Sequence, residues 1–448
     1  MSRVKQNNQA VIETLETRTL MSAALGISQM PFEGGTQLRI TGTTGNDQIT
    51  VKQTASGLTV ANGTWTKTVA GSFNSLWING QAGNNSVIID PSVTINATVF
   101  GGGVNDSLVA GSGNDTLYGG TGKNVLKAGA GNDTLVSIGS TSDTLVGGAG
   151  LDSFWTDNSS AEKIQNVSAA DANSGAVHRV GGYVNAPVVN AKKNAKTKAV
   201  VATTNIAEPA VDAGVSYTSF SNDPIFAAAG PSANDVFQGE VGDCYFLAVL
   251  SSTAKVDPAR IQQSVLDLGD GTVIVQLNQN GKSVYVHEDE SLPVYSDGSL
   301  AYAGLGAQNS TWVGLMEKAW TYVRTNAASY DAIDAGWMDE AYSALGAAKV
   351  TSTYAASSAT SLLTLIQKDL TAGQGVTYAT DAAPAGSGLI EDHAYTVISV
   401  GTSASGAVTS LTLRNPWGVG ADGTGNGYVT VTAAQALAAF TGMVAANV

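Results

Sequence analysis

The stretch Asn234-Asp-Val-Phe-Gln-Gly-Glu-Val-Gly-Asp-Cys-Tyr-Phe-Leu-Ala-Val-Leu-Ser-Ser252 contains Cys244, the only cysteine among the 448 residues. Two glycines precede Cys244 and allow tight turns, and the apolar run after it predicts a helix that begins at or near this residue. Backbone N–H groups and the helix dipole at that position favour a thiolate, the nucleophilic form of cysteine. Gln238 supplies an amide donor for an oxyanion. The alternative interpretation is an inert, buried cysteine that follows a turn.

Two later positions favour a catalytic role for this cysteine. His393 heads a strand-like alternation of residues, and Asn415 ends an apolar strand further along the chain. A cysteine–histidine pair needs a third group that orients the imidazole, and a side-chain amide can do this. The other two histidines are less suitable, because His178 lies in a polar stretch and His287 lies among acidic residues.

These segments resemble the calpain-type, papain-like cysteine proteases. The resemblance is carried by Gln238-Gly-x-x-Gly-Asp-Cys244, by Asp-His-Ala-Tyr around His393 and by Arg-Asn-Pro-Trp-Gly around Asn415, in the order that the family has. Trp312–Trp320 is similar to the family's internal helix, and the resemblance extends from Tyr217 to the C-terminus. It implies a papain-like α+β fold, with the cysteine on a helical half and the histidine and asparagine on a β half.

The resemblance also implies roles for five residues. Cys244 would be the nucleophile, His393 the general base and acid, and Asn415 the amide that orients the imidazole. Gln238 would donate to the oxyanion, and Trp417 would shield the His–Asn hydrogen bond from water. One departure is Tyr245, which stands where the family usually has tryptophan.

Residues 106–152 contain a second pattern, a glycine-rich repeat such as Gly129-Ala-Gly-Asn-Asp-Thr-Leu135. It resembles the calcium-binding nonapeptide repeat of RTX (hemolysin-type) proteins, which forms a parallel β-roll. Carboxylates and glycine-turn carbonyls are the hard oxygen ligands that Ca²⁺ prefers. The predicted calcium ligands of the repeat are Asp106, Asp115, Asp133, Asp143 and Asp152. Because Asn124 interrupts the series, we expect one to three sites; the alternative is a metal-free solenoid whose Asp, Asn and Gly residues only form turns.

The calpain-type resemblance suggests calcium ligands in the catalytic half as well. Asp235 and Asp331 match acidic positions through which the family binds calcium and aligns its two halves. The alternative interpretation of Asp235 is that its side chain caps a turn or a helix.

Composition and domain organisation complete the prediction. Charged residues make up 13% of the chain and the formal net charge is −14, so no surface for nucleic acid is predicted. No apolar run is long enough for a membrane span, and no oligomeric state is predicted. We expect a multidomain protein with an N-terminal all-β solenoid, parallel and β-roll-like, before the α+β protease fold. The predicted segments are an N-terminal targeting or disordered segment (1–26), the solenoid (27–185), a linker (186–214) and the catalytic domain (215–448).

The functional prediction is a calcium-dependent or calcium-stabilised cysteine endopeptidase acting on protein or peptide substrates. An extracellular or cell-surface location in a bacterium is expected, because Leu15–Ser22 resembles a segment near the start of some large exported bacterial proteins. One alternative is an exported calcium-binding adhesin or structural protein with an inactive protease-like domain. Another is a transglutaminase, which uses the same nucleophile and base.

Overall fold

A computed structural model of the chain describes residues 24–32, 34–140, 142–185 and 206–448. The chain divides into two compact units, Met1–Arg179 and Val180–Val448. The targeting segment predicted within residues 1–26 lies almost wholly outside the described residues, as does most of the linker predicted at 186–214. Among the helices of the described part, none combines the length and the apolar character that a bilayer span requires.

The N-terminal unit is a β-solenoid with two sheets of eight strands each. Its strands are β1 (Gly26–Phe32), β2 (Gly35–Thr41), β3 (Gln48–Thr54), β4 (Gly57–Asn62), β5 (Trp65–Ala70), β6 (Ser75–Asn79), β7 (Ser86–Ile89), β8 (Asn96–Phe100), β9 (Ser107–Val109), β10 (Thr116–Tyr118), β11 (Val125–Ala130), β12 (Thr134–Ser137), β13 (Thr144–Ala149), β14 (Ser153–Asp157), β15 (Lys163–Gln165) and β16 (Val177–Val180). A short helix, α1 (Ala169–Ser174), precedes β16.

Successive coils place one strand in each sheet. The strand orders are β1-β2-β6-β8-β10-β12-β14-β16 and β15-β13-β11-β9-β7-β3-β4-β5. Strands of neighbouring coils run parallel, whereas β1 pairs with β2, and β4 with β3 and β5, in antiparallel hairpins. The predicted parallel, roll-like solenoid is therefore confirmed.

The nine-residue period of the sequence explains this architecture. Leu117, Leu126 and Leu135 are all fully buried, and they alternate between the two sheets because each coil contains two repeats. Burial of one leucine side chain contributes about 1.5–3 kcal/mol. Gly129 has a φ of 108°, and a Cβ there would lie 2.3 Å from the carbonyl oxygen of Gly111 in the preceding coil. Glycine at this position therefore lets the coils approach each other to the normal strand spacing.

The C-terminal unit has helices at one side and a large sheet at the other. Its helices are α2 (Cys244–Val256), α3 (Pro258–Gln262), α4 (Trp312–Val323), α5 (Met338–Ala344), α6 (Ala359–Thr371) and α7 (Ala433–Ala439). Its strands are β17 (Ser216–Ser219), β18 (Val265–Asp267), β19 (Thr272–Gln279), β20 (Lys282–Asp289), β21 (Ser291–Val294), β22 (Ala348–Thr353), β23 (Gly375–Thr380), β24 (His393–Thr402), β25 (Val408–Arg414), β26 (Tyr428–Thr432) and β27 (Phe440–Asn447).

An antiparallel sheet of six strands, in the order β22-β27-β23-β24-β25-β26, forms the β half. Helix α2 packs against β23 and β24, while α6 and α7 pack against β25. Every residue of α2 from Tyr245 to Ala254 is buried, as expected for a helix that is apolar on nearly all sides. The helix predicted to begin near Cys244 and the helix expected at Trp312–Trp320 are confirmed, as is the expected β half.

Residues 206–214, at the end of the predicted linker range, contact the helical half. Ala210 N–H donates to the carbonyl oxygen of Ala328, and the carboxylate of Glu208 lies 2.8 Å from Nζ of Lys318 on α4. The Lys318 side chain is fully buried, and the carboxylate of Asp289 also lies close to it, 2.9 Å from its Nζ. The compact part of this unit therefore begins before Ser216.

Candidate functional site

Helix α2 begins at Cys244, as the sequence predicts, and this places the thiol in the first turn of the helix. The approach to the helix requires glycine. A Cβ on Gly239 would lie 2.2 Å from the carbonyl oxygen of Tyr302, and one on Gly242 would lie 2.2 Å from Oδ1 of Asp334. The turn before Cys244 is therefore fixed by close contacts, and the cysteine remains partly exposed at its end.

His393 and Asn415 meet at one end of the β sheet. His393 is the first residue of β24, Asn415 directly follows β25, and these two strands are antiparallel neighbours. Nε2 of the imidazole lies 2.8 Å from Oδ1 of Asn415, and both side chains are buried. Asn415 is itself held in place, because its Nδ2 donates to the carbonyl oxygen of Val419 at 2.9 Å. Nδ1 of His393 is thereby left for another partner.

The indole of Trp417 lies against His393. The ring centroids are 5.2 Å apart, with an interplanar angle of 60°. Trp417 also donates its backbone N–H to Oδ1 of Asn415 at 3.0 Å. The tryptophan therefore covers the histidine beside its bond to asparagine, which is the position that a shielding role requires.

The thiol and the imidazole come from different halves of the unit, and the two elements that carry them, α2 and β24, pack against each other. The backbone N–H of Ala394, the residue next to His393, acts on the Cys244 thiol in the direction that lowers its pKa. The Thr396 hydroxyl, also on β24, donates to the carbonyl oxygen of Ala248 on α2 at 2.8 Å. The start of α2 is thus bonded directly to the start of β24.

Burial controls the protonation of both groups. It raises the pKa of the Cys244 thiol to about 11, although the N–H of Ala394 opposes this shift, and the nearby Asp243 carboxyl adds to it. It lowers the pKa of the His393 imidazole to about 4, although the hydrogen bond to Oδ1 of Asn415 opposes this shift. Each charge alone is therefore disfavoured, so thiolate and imidazolium become favourable only as a pair in which the two charges compensate each other.

A buried carboxyl pair lies directly behind the cysteine, and motif spacing did not predict it. Asp243 is fully buried, and its carboxyl group faces that of Glu317 on α4 closely enough for a hydrogen bond when one of them is protonated. Glu317 also accepts the N–H of Ala303 at 3.0 Å. Burial, with the other carboxyl next to it, raises the pKa of Asp243 well above its usual range and so favours its protonated form.

Gln238 lies in the loop before Cys244 and has intermediate exposure. Its Nε2 donates to the carbonyl oxygen of Val241 at 2.7 Å, which leaves the second hydrogen of the amide for another acceptor. Its backbone N–H donates to the carbonyl oxygen of Pro416 at 2.8 Å. This bond ties the Gln238 loop to the segment that carries Asn415 and Trp417.

The predicted calcium residues of the solenoid form two ladders, in which each side chain accepts the backbone N–H of a residue one coil earlier. We call the first the aspartate ladder: Oδ1 of Asp115, Asp133, Asp152 and Asp171 accepts from Ala97, Asp115, Asp133 and Asp152, respectively. We call the second the mixed ladder: Asp106, Asn124, Asp143 and Glu162 accept from Asn85, Asp106, Asn124 and Asp143, respectively. Asp171 and Glu162 extend the ladders beyond the residues that the repeat pattern identifies.

The two ladders differ in charge. In the aspartate ladder, burial and the neighbouring charges of Asp115 and Asp152 raise the pKa of Asp133 to about 7. In the mixed ladder, Asn124 separates two aspartates, and its Nδ2 lies 3.3 Å from Oδ2 of Asp143 and 3.3 Å from the carbonyl oxygen of Gly120. The amide N–H groups of Asn124 therefore serve as hydrogen-bond donors to the Asp143 carboxylate and to the Gly120 carbonyl oxygen.

The donor set of the ladders fits calcium. Oδ2 of Asp133 and Oδ2 of Asp106 are buried and have no hydrogen-bond partner, so both are oxygen atoms that a cation would stabilise. Within residues 24–185 and 206–448, apart from residues 33 and 141, no three carboxylate, imidazole or thiol groups converge on one point. A calcium ion between coils would therefore depend on carboxylate pairs together with backbone carbonyl oxygens.

The two aspartates predicted to bind calcium in the catalytic half have different surroundings. Asp235 is buried and accepts three N–H groups, from Ser232 at 2.8 Å, Ala307 at 3.0 Å and the indole of Trp312 at 3.2 Å. It forms a capping box with Ser232, which is the capping role that the sequence left open. Asp331 is exposed on the 3-10 turn Tyr330–Ile333. The contacts of Asp235 are those of a cap, and the calcium role of Asp235 and Asp331 stays a prediction.

A helical half with a cysteine at a helix start, facing a sheet with a His–Asn pair, defines the class of papain-like cysteine proteases. Comparison with known proteins places this part of the chain in a particular family of that class. Residues 215–426 match the calpain family of cysteine proteases, and residues 100–135 and 137–159 match the RTX calcium-binding nonapeptide repeat. The chain thus carries a calpain-family cysteine protease domain preceded by RTX repeats.

Individual relatives agree with this. The chain is 30% identical over 213 residues to the calpain-type cysteine protease ADL1 of Oryza sativa subsp. japonica, which covers 44% of this chain and 10% of that protein. It is 30% identical over 217 residues to the calpain-2 catalytic subunit of Rattus norvegicus, and the match covers 45% of this chain and 30% of that protein. It is 31% identical over 218 residues to calpain-A of Drosophila melanogaster, and the match covers 44% of this chain and 26% of that protein. The similarity therefore spans less than a third of the length of each of these relatives.

Proposed function

We propose that the chain is a cysteine endopeptidase in which Cys244, His393 and Asn415 form the catalytic triad. The observation that carries this proposal is the geometry at the start of β24. His393 is bonded to Asn415 at 2.8 Å, α2 packs against β24, and the N–H of the residue beside His393 lowers the pKa of the Cys244 thiol against the effect of burial. The match to a cysteine protease family supports the same assignment.

The proposed reaction begins with transfer of the thiol proton to His393, which forms the compensated ion pair. The thiolate attacks the peptide carbonyl carbon, and the carbonyl oxygen becomes an oxyanion that Gln238 and the backbone N–H of Cys244 stabilise. The imidazolium then protonates the leaving amine as the C–N bond breaks, which gives a thioester. Water, deprotonated by His393, attacks the thioester and releases the carboxylic acid and the thiol. Asn415 keeps the imidazole oriented throughout.

We also propose that the solenoid binds calcium along the aspartate ladder, with Asp133 as the central ligand. Calcium would compensate the stacked carboxylates and stabilise the coils. We assign no ion to the mixed ladder at Asn124, because the amide already occupies the neighbouring oxygens. Calcium dependence of the peptidase would then arise in the solenoid, or in the catalytic half if Asp235 and Asp331 bind calcium as predicted.

The match to RTX repeats supports a secreted, extracellular or cell-surface protein, and protein or peptide substrates follow from the protease family. We retain the proposed organisation of an N-terminal targeting segment (1–26), a solenoid (27–185), a linker (186–214) and a catalytic domain (215–448). The contacts of Glu208 and Ala210 with the helical half support a catalytic unit that begins within the end of this linker range.

The test is cleavage of casein by the full chain, compared with the Cys244→Ala variant, in calcium and in chelator. We expect cleavage by the wild-type chain and none by the variant. Cleavage by Cys244→Ala at the wild-type rate would refute the triad. If the wild-type chain does not cleave casein and its thiol is alkylated only as fast as an ordinary thiol, the alternative of an inactive protease-like domain is favoured. An acyl-acceptor assay distinguishes hydrolysis from transglutamination.

A further inference from the structure

Arg414 is a buried cation at the end of β25, directly before Asn415. It is 1% exposed, and no carboxylate of the described residues lies within 4.0 Å of its guanidinium. A buried charge without an ion pair is costly, so its retention calls for contacts that compensate it. Its Nη2 donates to the carbonyl oxygen of Val236 at 2.8 Å, and its Nε donates to Oδ1 of Asn234 at 3.3 Å.

These contacts hold the segment Asn234–Gln238, which we call the Gln238 segment. The hydroxyl of Tyr428 on β26 also donates to Oδ1 of Asn234, at 2.7 Å. At the other end of the segment, Gln238 N–H donates to the carbonyl oxygen of Pro416 at 2.8 Å. Alternate residues of the segment are therefore bonded to the β half, although the segment belongs to the chain that leads into α2.

We infer that Arg414 is a positioning residue that sets the Gln238 segment against the Asn415 segment, so that the oxyanion donor and the His–Asn pair are aligned with each other. Arg414 touches no reacting atom. It acts through Gln238, and it does so from the residue next to Asn415. This inference rests on the proposed peptidase function.

A purely structural role for Arg414 predicts a different effect of its loss on the reactions of Cys244. If Arg414 only stabilised the fold, its loss would affect every reaction of Cys244 alike. If it positions the oxyanion donor, its loss impairs peptide hydrolysis, which develops an oxyanion, and spares alkylation by iodoacetamide, which develops none. The ratio of the two rates therefore separates the two roles.

The experiment measures kcat/KM for a peptide substrate and the second-order rate constant for iodoacetamide on the full chain, in wild type and in Arg414→Lys. Lysine keeps the charge and loses the forked donors that reach Val236 and Asn234 together. We expect hydrolysis to fall about tenfold or more while alkylation stays within about twofold. In a Gln238→Ala background, which itself costs about 10²–10³-fold in hydrolysis, Arg414→Lys should have little further effect.

Asn234 provides a second set of variants in case Arg414→Lys does not fold. Asn234 is exposed, so Asn234→Ala removes the shared acceptor with little change in the core. Asn234→Asp keeps an oxygen acceptor for Arg414 and Tyr428. We expect Asn234→Ala to reduce the ratio of hydrolysis to alkylation and Asn234→Asp to restore it.

Three results would overturn the inference. The first is that hydrolysis and alkylation fall together in the Arg414 and Asn234 variants. The second is that the effect of Arg414→Lys on hydrolysis persists at full size in the Gln238→Ala background. An alkylatable wild-type chain without peptide hydrolysis would remove the proposed function and the inference with it. The first two outcomes leave the proposed function intact, so the failures are distinguishable.

Discussion

The bond between Asn415 and His393 is the contact in the site whose loss has the most defined consequence. Asn415→Ala removes a buried acceptor 2.8 Å from Nε2 of the imidazole and leaves that nitrogen unpartnered. An unsatisfied buried group costs about 1–3 kcal/mol. If this cost falls on the oriented, protonated imidazole of the reaction, kcat/KM decreases about 5- to 150-fold, since about 1.4 kcal/mol corresponds to a factor of ten.

The direction of the accompanying pKa change is also fixed. The Asn415 hydrogen bond raises the pKa of His393 against the larger effect of burial, so Asn415→Ala lowers this pKa further below about 4. Asn415→Asp retains an oxygen beside Nε2 and adds a negative charge, so it raises the pKa and moves the acid limb of the kcat/KM profile to higher pH.

The assay is the pH dependence of kcat/KM for a peptide substrate, with thermal unfolding measured in parallel. Asn426→Ala serves as the matched control, because the exposed Asn426 side chain accepts the Tyr428 N–H at 3.3 Å and lies outside the triad. Wild-type kcat/KM in Asn415→Ala, or acid limbs that coincide in the Ala and Asp variants, would refute the role of the amide.

Three further predictions concern pH and metal. The pH profile of wild-type kcat/KM should have an acid limb near pH 4 and an alkaline limb near pH 11, because burial lowers the pKa of His393 and raises that of Cys244. An acid limb near pH 6.5, the pKa of an ordinary histidine, would contradict this. In chelator, the solenoid should lose stability as the pH rises from about 4 to about 7, because folded Asp133 keeps a proton that the unfolded chain releases. Calcium at pH 7 should restore the melting temperature. The Asp133→Asn variant should show a smaller loss of stability with pH and a smaller gain with calcium. Asn124→Asp should add a carboxylate between Asp106 and Asp143 and so increase the number of calcium ions bound in calorimetry; an unchanged stoichiometry would exclude the mixed ladder as a latent site.

Local patterns were sufficient for much of the fold. The strands β6 and β7 coincide with alternating apolar residues that lie between glycine and asparagine turns, and α2 coincides with the apolar run after Cys244. The stacking of Leu117, Leu126 and Leu135 follows from a period that returns the chain to the same face after two repeats. In each case the information lies within a few residues of the element that it determines.

Contacts that depend on distant register could not be predicted in this way. The hairpin of β4 and β5 was not anticipated, because Gly57–Val60 has the same alternation as the solenoid strands. Asp171 and Glu162 continue the two ladders without the glycine pattern, since a rung requires only an acceptor one coil away. The bonds of Arg414 to the Gln238 segment join residues far apart in the chain, and no local spacing indicates them.

The buried Lys318 also bears on where the catalytic unit can be cut. The family match begins at residue 215, whereas Glu208, one of the two carboxylates beside this lysine, lies upstream of that point. Without Glu208, Lys318 keeps Asp289 at 2.9 Å, so the loss should be smaller than the cost of a buried charge left with no partner, which is about 3–5 kcal/mol. A recombinant protease that starts at the homology boundary would therefore have a less stable α4, whereas one that starts at Ile206 would retain both carboxylates that lie within 4.0 Å of the lysine.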